Sequence, residues 1–590
     1  MHLKTPFRFF NYFYKYLGYR IPVFFSLSFL VGLLDGIGLA LFIPLLKLVS
    51  EENNTASKGG FITDVVVDFL NVNPTLLNIL ILILFFFSLK GLVKFFEGYL
   101  RVVYQQYFMR QIRMSNIDLL NELDFKEFAK TDAGKIQNTF SGEVNRVNTA
   151  FRFYFKSFQY GTLVLVYVII AFLADPVFSL IVILGGLSTI LLFKSLYIRT
   201  KYFSKKFTGR SHLYEGLLMQ KIYFFKYLKT TGLNIFFGKK LKKNIMEMEK
   251  DQLRIGIVDS LLNALREPLV IVVVLFAIYL QVNFFGQDLT LILLSLVLLY
   301  RALSFFMGMQ EQWNMFLGYS GSLYNMEEFT EELQRAKEQF EGKPFLGFKN
   351  ALELKRVNFS YGKTEVLRNI NLKIQRNETV AFIGESGSGK TTLMNIISGL
   401  LIPSGGIYTI DGTAITTLDL YSFRKKIGYI PQDPPVFSDS IFNNVTFWKD
   451  KTEENIERFQ TALKQAALKE FVDGLPEKEE TYLGNTGISL SGGQKQRISI
   501  ARELFKEIDI LLMDEATSAL DSETENIIKE NIKILKGTVT IILIAHRLST
   551  VKYADRIYML KEGEVISSGT YNELLQNSES FRRLVALQKV

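Results

Sequence analysis

The chain has 590 residues, which is too long for one domain. It is 48% hydrophobic with 52 Phe, and its mean hydropathy of +0.18 is high for a soluble protein. It contains no Cys, which excludes disulfides, thiolate metal sites and thiol catalysis. The net charge of +10 lies almost wholly before residue 350, in the same stretch as the long apolar runs. That coincidence favours cytoplasmic loops of a membrane protein over a nucleic-acid-binding surface.

The opening stretch, Phe7 to Arg20, mixes Phe and Tyr with Arg8, Lys15 and Arg20. It reads as an interfacial amphipathic helix leading into the membrane, and not as a cleavable signal. Six apolar segments then follow, near Ile21–Leu48, Leu76–Phe96, Phe151–Leu173, Val177–Leu196, Leu269–Val282 and Leu289–Phe306. The first is broken by Asp35 and by Gly32, Gly36 and Gly38. The fifth has a short clean run preceded by Arg266, Glu267 and Pro268, so its helix is expected to be longer and partly polar. The links after segments one, three and five carry almost no Lys or Arg. The two long links are basic, with Arg101, Arg110 and Arg113 in one and Lys201, Lys205, Lys206 and Arg210 in the next. The positive-inside rule therefore puts both long loops and both termini in the cytoplasm. Each of those loops has helical patterning over roughly 50 residues, long enough for helices that run well past the membrane and turn back. Residues 61–70 fall in an outer loop. They could form a short amphipathic helix on the membrane surface or a helix extension packed on the protein itself. Segment six runs on through a Glu- and Gln-rich stretch to Glu341, and Gly342-Lys343-Pro344 reads as a linker.

The last part of the chain carries the chemistry. Residues 384–391 read Gly-Glu-Ser-Gly-Ser-Gly-Lys-Thr, the P-loop pattern, after the apolar run Val380–Ile383 and before a helix. Backbone N–H groups of such a turn, including those of Gly384, Ser386, Gly387, Ser388 and Gly389, close on phosphate oxygens, and the helix N-terminus at Lys390–Thr392 adds its dipole. Lys390 reaches the β- and γ-phosphates and Thr391 holds Mg²⁺ in this arrangement. Downstream come Leu490-Ser491-Gly492-Gly493-Gln494 and Ile510-Leu511-Leu512-Met513-Asp514-Glu515.

These three motifs in this order resemble the ATP-binding-cassette (ABC) ATPases over about residues 351–590. The resemblance implies ATP and Mg²⁺ as ligands and assigns roles residue by residue. Tyr361 matches the aromatic that stacks on adenine, although a strand-edge Tyr would look the same. Gln432 matches the loop that touches Mg²⁺ and contacts the membrane domain, and Asp514 the carboxylate that holds Mg²⁺ through water. Glu515 matches the residue that activates or positions the attacking water, Asp521 the loop that crosses a dimer, and His546 the residue that bonds the γ-phosphate. Ser491, Gly493 and their neighbours Gly492 and Gln494 resemble a signature loop that meets the γ-phosphate bound to the other subunit, which implies a homodimer with two shared sites. His2 and His212 have no such context and read as surface residues. Two positions depart from the family pattern. Asn485 stands where exporters commonly carry Glu, which puts the detail of coupling in doubt, and Ile508 where Pro is frequent.

Membrane segments that precede the ATPase on one chain look like the exporter type of ABC transporter. The fold implied is a six-span α-helical membrane domain (1–341), a linker (342–350) and an α/β P-loop ATPase domain (351–590). Phe125–Phe128 to Gly134–Lys135, and Tyr223 to Thr231, resemble the two coupling segments of that type. An outer-loop helix at 61–70 is a feature of flippases for lipid-linked saccharides. Inside the membrane Asp35, Lys90, Arg266 and Arg301 are candidate substrate residues. A cavity lined by Arg301, Arg266 and Lys94 would suit an anionic headgroup, whereas Lys90, Lys94 and Arg266 could equally snorkel to the cytoplasmic interface. Three functions stay open: export or flipping of a lipid-linked saccharide or related amphiphile, export of drugs or peptides, and an ATPase that regulates a membrane partner. The one-chain architecture fits a bacterial inner membrane, and organelles use it too.

Overall fold

A computed structural model describes residues 4–42, 45, 75–131, 133–174, 176–285, 289–338, 342–484, 490–514, 535–545 and 551–588. The outer-loop stretch 61–70, Asn485, Glu515, Asp521, His546 and His2 lie outside these residues. The chain divides into two compact units. One comprises Met1–Leu123 and Glu127–Lys337, and the other Asp124–Lys126 and Glu338–Val590.

The first unit is built from long helices: α1 (Lys4–Leu17), α2 (Arg20–Ala40), α3 (Leu76–Asn121), α4 (Val144–Ala174), α5 (Pro176–Tyr223), α6 (Phe225–Thr230), α7 (Asn234–Phe285) and α8 (Leu289–Arg335). Five of them, α2, α3, α4, α5 and α7, are long and apolar enough to cross a bilayer among the described residues. At about 1.5 Å per residue the 46-residue α3 is roughly 70 Å long, more than twice the ~30 Å hydrocarbon core. The helices therefore continue far beyond the membrane, as the length of the basic loops implies. The apolar parts keep much of their surface outward, with Leu84 68% and Leu191 74% exposed, as lipid-facing residues do. The short segment five is resolved by α7, a 52-residue helix that carries Pro268 inside it. Pro268 removes one i→i−4 bond, yet the helix continues on both sides.

The expected turns are present: short helices Phe125–Phe128 and Ala133–Asn138 after α3, and α6 between α5 and α7, closed by Gly232 at φ +73°. The amphipathic N-terminal helix forms, but its apolar stripe packs on protein. Phe9, Phe13 and Leu17, spaced one turn apart, are buried against Phe108, Phe151, Tyr154 and Phe316. Arg8 on its polar side bonds Glu327 at 2.6 Å.

The second unit is a two-sheet α/β domain. A four-stranded antiparallel sheet runs in the order β2-β1-β4-β5, from Ala351–Tyr361 (β1), Thr364–Gln375 (β2), Gly405–Ile410 (β4) and Thr413–Ala414 (β5). A six-stranded sheet runs β10-β9-β3-β8-β7-β6, from Thr379–Gly384 (β3), Ile427–Ile430 (β6), Ile510–Asp514 (β7), Thr540–Ile544 (β8), Arg556–Lys561 (β9) and Glu564–Gly569 (β10). Strands β6, β7, β8, β3 and β9 are parallel neighbours. Their apolar runs are continuous because both faces are covered. Alternate residues serve two cores: Ala381, Leu511, Met513 and Leu543 one, Phe382, Ile510, Leu512 and Ile542 the other. The stretch 342–350 is docked on this unit. Lys343 N–H donates to the Thr417 carbonyl at 2.8 Å, and the N–H groups of Lys349 and Asn350 donate to the Asp411 carboxylate at 2.8 and 2.6 Å.

Candidate functional site

Parallel strands present their carboxyl ends at one edge, where ligands of open α/β sheets bind. Register places the motif residues there. Phe382 and Asp514 both pair with Ile544, so the P-loop starts just beyond the level of Asp514. Ile430 pairs with Met513, so Pro431 and Gln432 follow at that same edge. Three motifs spread over 130 residues of sequence thus converge through sheet pairing alone.

The P-loop conformation demands its glycines at two positions in particular. Gly384 has φ +148°, and a Cβ there would sit 2.2 Å from the Leu560 carbonyl oxygen. Gly389 has φ +97° and caps the helix Lys390–Ile397 (α9) from the left-handed region. Lys390 is buried at 6% exposure, and its Nζ donates to the carbonyls of Gly384 and Glu385, both at 2.9 Å. The ammonium is thereby held against its own loop. Ser388 Oγ is buried without a hydrogen-bond partner in the chain, at a position where a phosphate oxygen would satisfy it. Thr391 and Thr392 form the first turn of α9, and Ser386 and Gly387 the tip of the loop. The donor set of Thr391 hydroxyl, Gln432 amide oxygen and Asp514 carboxylate is all hard oxygen, which fits Mg²⁺. Gln432 is exposed. Tyr361 ends β1 with 40% of its surface exposed and its ring edge-on to Phe359, leaving a face open for stacking.

The signature motif opens the helix Gly492–Phe505 (α10). Ser491 is its N-cap: Ser491 Oγ accepts from Gln494 N–H at 3.2 Å, and Gln494 Oε1 accepts from Ser491 N–H at 2.8 Å. The Ser-x-x-Gln spacing is a capping box as well as a signature, a second role that the family resemblance alone does not bring out. Ser491 and Gly492 are exposed, and Gly493 follows in the first turn. Arg502, missed from sequence, ties α10 to the segment after Gln432. It is 2% exposed and donates to the carbonyls of Asn444 at 2.7 Å and Pro435 at 2.9 Å. The available signal was an Arg directly after the mostly apolar stretch Ile498–Ala501. Beside it, burial pushes the Glu503 carboxyl up, against the opposing pull of Lys506 and of the Tyr429 backbone.

In the first unit the intramembrane charges meet. Asp35 on α2 is 3% exposed and pairs with Lys90 on α3. Tyr167 of α4 donates its hydroxyl to Asp35 at 2.6 Å, and Arg301 of α8 lies 3.9 Å from the same carboxylate. Lys90 is thus an ion-pair partner and does not snorkel. Arg301 keeps 48% of its side chain exposed, so the cluster of two cations and one anion presents its spare positive charge there. The glycines around Asp35 permit the approach: a Cβ on Gly36 would meet Ile170 at 2.2 Å, and one on Gly38 would meet Phe87 at 2.9 Å. Lys94 is exposed. Arg266 stands apart, bonded to Asn263 of its own helix. A further correction concerns His212. The sequence reading put it on the surface, but its ring lies between Asn138 at 2.9 Å and Asn325 at 3.0 Å, with Glu143 at 3.8 Å. Its own sequence neighbours carry no trace of the helices that bring Asn138 and Asn325 to its ring.

Comparisons with known proteins agree with this architecture. A family model for the ABC transporter transmembrane region matches residues 21–288, and one described as ABC transporter matches 367–518. An ATP-dependent lipid A-core flippase of Desulfotalea psychrophila is 42% identical over 257 residues, 43% of this chain and 44% of that protein. A second flippase of that name, from Ralstonia nicotianae, is 40% identical over 240 residues, 40% of each chain. This chain therefore matches less than half the length of these relatives. The heterocyst differentiation ATP-binding protein HepA of Nostoc is 27% identical over 93% of this chain and 90% of its own. Among solved structures, a bacterial Atm1-family ABC exporter with ATP bound superposes with a TM-score of 0.82 at 22% identity, covering 97% of this chain and 99% of that one. The chain belongs to the ABC transporters, with an exporter-fold membrane part and an ATP-binding part on one polypeptide.

Proposed function

We propose that this chain is an ATP-driven exporter or flippase that works as a homodimer and moves an anionic, lipid-linked amphiphile. The observation that carries the ATPase half is the convergence of Gly384, Gln432 and Asp514 on one strand edge beside Lys390. Lys390 and the loop N–H groups bind the β- and γ-phosphates. Bound Mg²⁺, held by Thr391, Gln432 and Asp514, would neutralise phosphate charge. Glu515, next in sequence after Asp514, takes the proton of the attacking water. Ser491, exposed at the start of α10, and the half-buried Gly493 beside it complete a site on a second copy.

Two features support the homodimer. The turn around α6 exposes Tyr223 (81%), Tyr227 (61%), Ile235 (75%) and Phe236 (73%), an apolar patch that a second chain would cover. Ser491 and Gly492 of the signature face solvent in the single chain. The half-exposed Arg301, backed by Asp35 and Lys90, supports an anionic headgroup. A bacterial inner membrane with the ATPase in the cytoplasm fits the loop charges. An apolar cavity of about 110 Å³, lined by Val168, Leu187, Leu299 and Phe306 among others, favours the second reading, export of a hydrophobic compound.

The test is reconstitution into proteoliposomes and measurement of ATP-dependent movement of a fluorescent anionic lipid, with a zwitterionic lipid and a hydrophobic dye run beside it. Movement of the anionic lipid, abolished in Glu515→Gln, is the expected result. Dye movement alone would transfer the assignment to drug export, and hydrolysis without movement of any probe would leave a regulatory ATPase.

A further inference from the structure

A buried, partly bonded guanidinium, separate from the Asp35 cluster, lies between α5 and α7. Arg266 of α7 is 5% exposed. Its Nη1 donates to Asn263, whereas Nε and Nη2 are buried with no hydrogen-bond partner in the chain. Those two atoms form one edge of the guanidinium, the fork that takes a carboxylate or phosphate through two parallel bonds. Among the described residues no carboxylate lies within ion-pair distance of Arg266. Asp259, two turns away on α7, is already engaged by Asn263 at 3.3 Å and by Asn314 at 2.8 Å. The hydroxyl of Tyr197 on α5, likewise buried, lies beside Arg266 within reach of its charge and of a bent hydrogen bond, and neither group makes a well-formed one. A buried guanidinium left with an open fork is costly, by several kcal/mol in general, unless an anion completes it.

The level in the bilayer says which anion. Tyr197 follows Leu196, the last residue of the fourth apolar run, and Arg199 and Lys201 come next. Arg266 stands three residues before Leu269, the first residue of the fifth. Two adjacent helices, read independently, put this pair at the cytoplasmic edge of the hydrocarbon, where lipid phosphates lie. Asn263 and Glu267 flank Arg266 and are exposed, so the fork lies one side chain below the surface.

We infer that Arg266 and Tyr197 form an oxyanion site for a phosphate group, taken at the cytoplasmic leaflet. The inference rests on the membrane topology proposed above and not on the identity of the transported substrate. One phosphate oxygen pair meets Nε and Nη2, and the Tyr197 hydroxyl donates to a further oxygen. Swinging the Asn263 or Tyr197 side chain admits it.

The experiment uses the full chain in a neutral detergent, titrated with dioleoyl phosphatidylglycerol and read by native mass spectrometry as lipid bound per chain. The wild type should hold one lipid more tightly than the rest. Arg266→Gln should weaken that lipid by roughly tenfold to a hundredfold, the worth of a charge-assisted bond pair. Arg266→Lys keeps charge and stem but lacks the fork, and should fall in between. Tyr197→Phe should weaken binding several-fold, and Lys250→Gln, which removes an exposed charge of α7, should not change it. Millimolar inorganic phosphate is the second arm. Displacement of the lipid identifies a site that also takes soluble phosphate, and no displacement a site for lipid, with the oxyanion assignment holding in both. Equal lipid affinity in the wild type and in folded Arg266→Gln overturns the inference. If Arg266→Gln does not fold, equal affinity in Arg266→Lys overturns it. Substrate transport is not read in this assay, so its outcome is independent of the proposed function.

Discussion

The ATP-binding unit and the membrane unit handle charge in opposite ways. In the ATP-binding unit the key cation, Lys390, is held by the carbonyls of its own loop, within six residues of sequence. In the membrane unit Asp35 finds Lys90, Tyr167 and Arg301, each on a different helix. The first arrangement is local to one loop. The second depends on how the helices pack. The P-loop contact is thus written in contiguous residues, and the intramembrane charge cluster is assembled from distant ones.

Breaking the local arrangement should have the largest effects. Glu515→Gln is expected to reduce ATP hydrolysis by about 10²- to 10⁴-fold while ATP binding persists, because activation of water is lost and the phosphate contacts survive. Hydrolysis at the parent rate would remove Glu515 from its assigned role. Lys390→Ala should lower ATP affinity by ~10²-fold or more, since the phosphates lose their main cation and the Gly384 and Glu385 carbonyls lose their donor. Equilibrium binding of a fluorescent ATP analogue decides this, and unchanged affinity sinks the P-loop assignment.

Breaking the dispersed arrangement should act first on stability. Asp35→Asn leaves Lys90 poorly paired among packed helices, and a loss of about 3 kcal/mol is expected from a buried pair broken on one side. Replacing both residues with apolar ones, Asp35→Leu with Lys90→Met, should recover most of that loss. Thermal unfolding in detergent measures both, and an Asp35→Asn protein as stable as the parent shows that the pair is not structural. Arg301→Ala should spare stability, since its side chain is half exposed, but weaken ATPase stimulation by an anionic lipid by up to ~10-fold. Arg301→Lys should retain part of it, as charge survives without the fork. Equal stimulation of Arg301→Ala across anionic lipids would give the drug-export reading precedence.

The smallest effect sharpens the comparison at the signature. Wild-type chains mixed with Ser491→Arg should show less ATPase activity than dilution of the wild type accounts for, because an obstructed signature disables a site on the partner. Ser491 also caps α10, so Ser491→Ala serves as the control: it removes the cap, at a cost of about 1 kcal/mol, without inserting bulk. Activity strictly proportional to wild-type content would argue for sites confined to one chain.

The motifs, five of the six apolar segments and the charge of the loops were legible in the sequence because each rests on contiguous residues: a Gly-rich turn, a run long enough to span, a cluster of Lys and Arg. The order of the ATP site was legible for the same reason. The partners of single side chains were not. Asp35 could be seen to be buried in an apolar segment, yet nothing in its neighbours named Lys90 or Tyr167, which lie 55 and 132 residues away. His212 read as a surface residue until packing set Asn138 and Asn325 against its ring. Arg266 read equally as a cavity residue or as one that snorkels, and only the pairing of α5 with α7 buries its fork beside Tyr197. Local motifs and hydropathy follow from the chain itself, since backbone turns and solvent transfer act on neighbouring residues. Which buried charge meets which partner is decided by tertiary packing, because helix contacts join residues whose separation along the chain carries no trace of it.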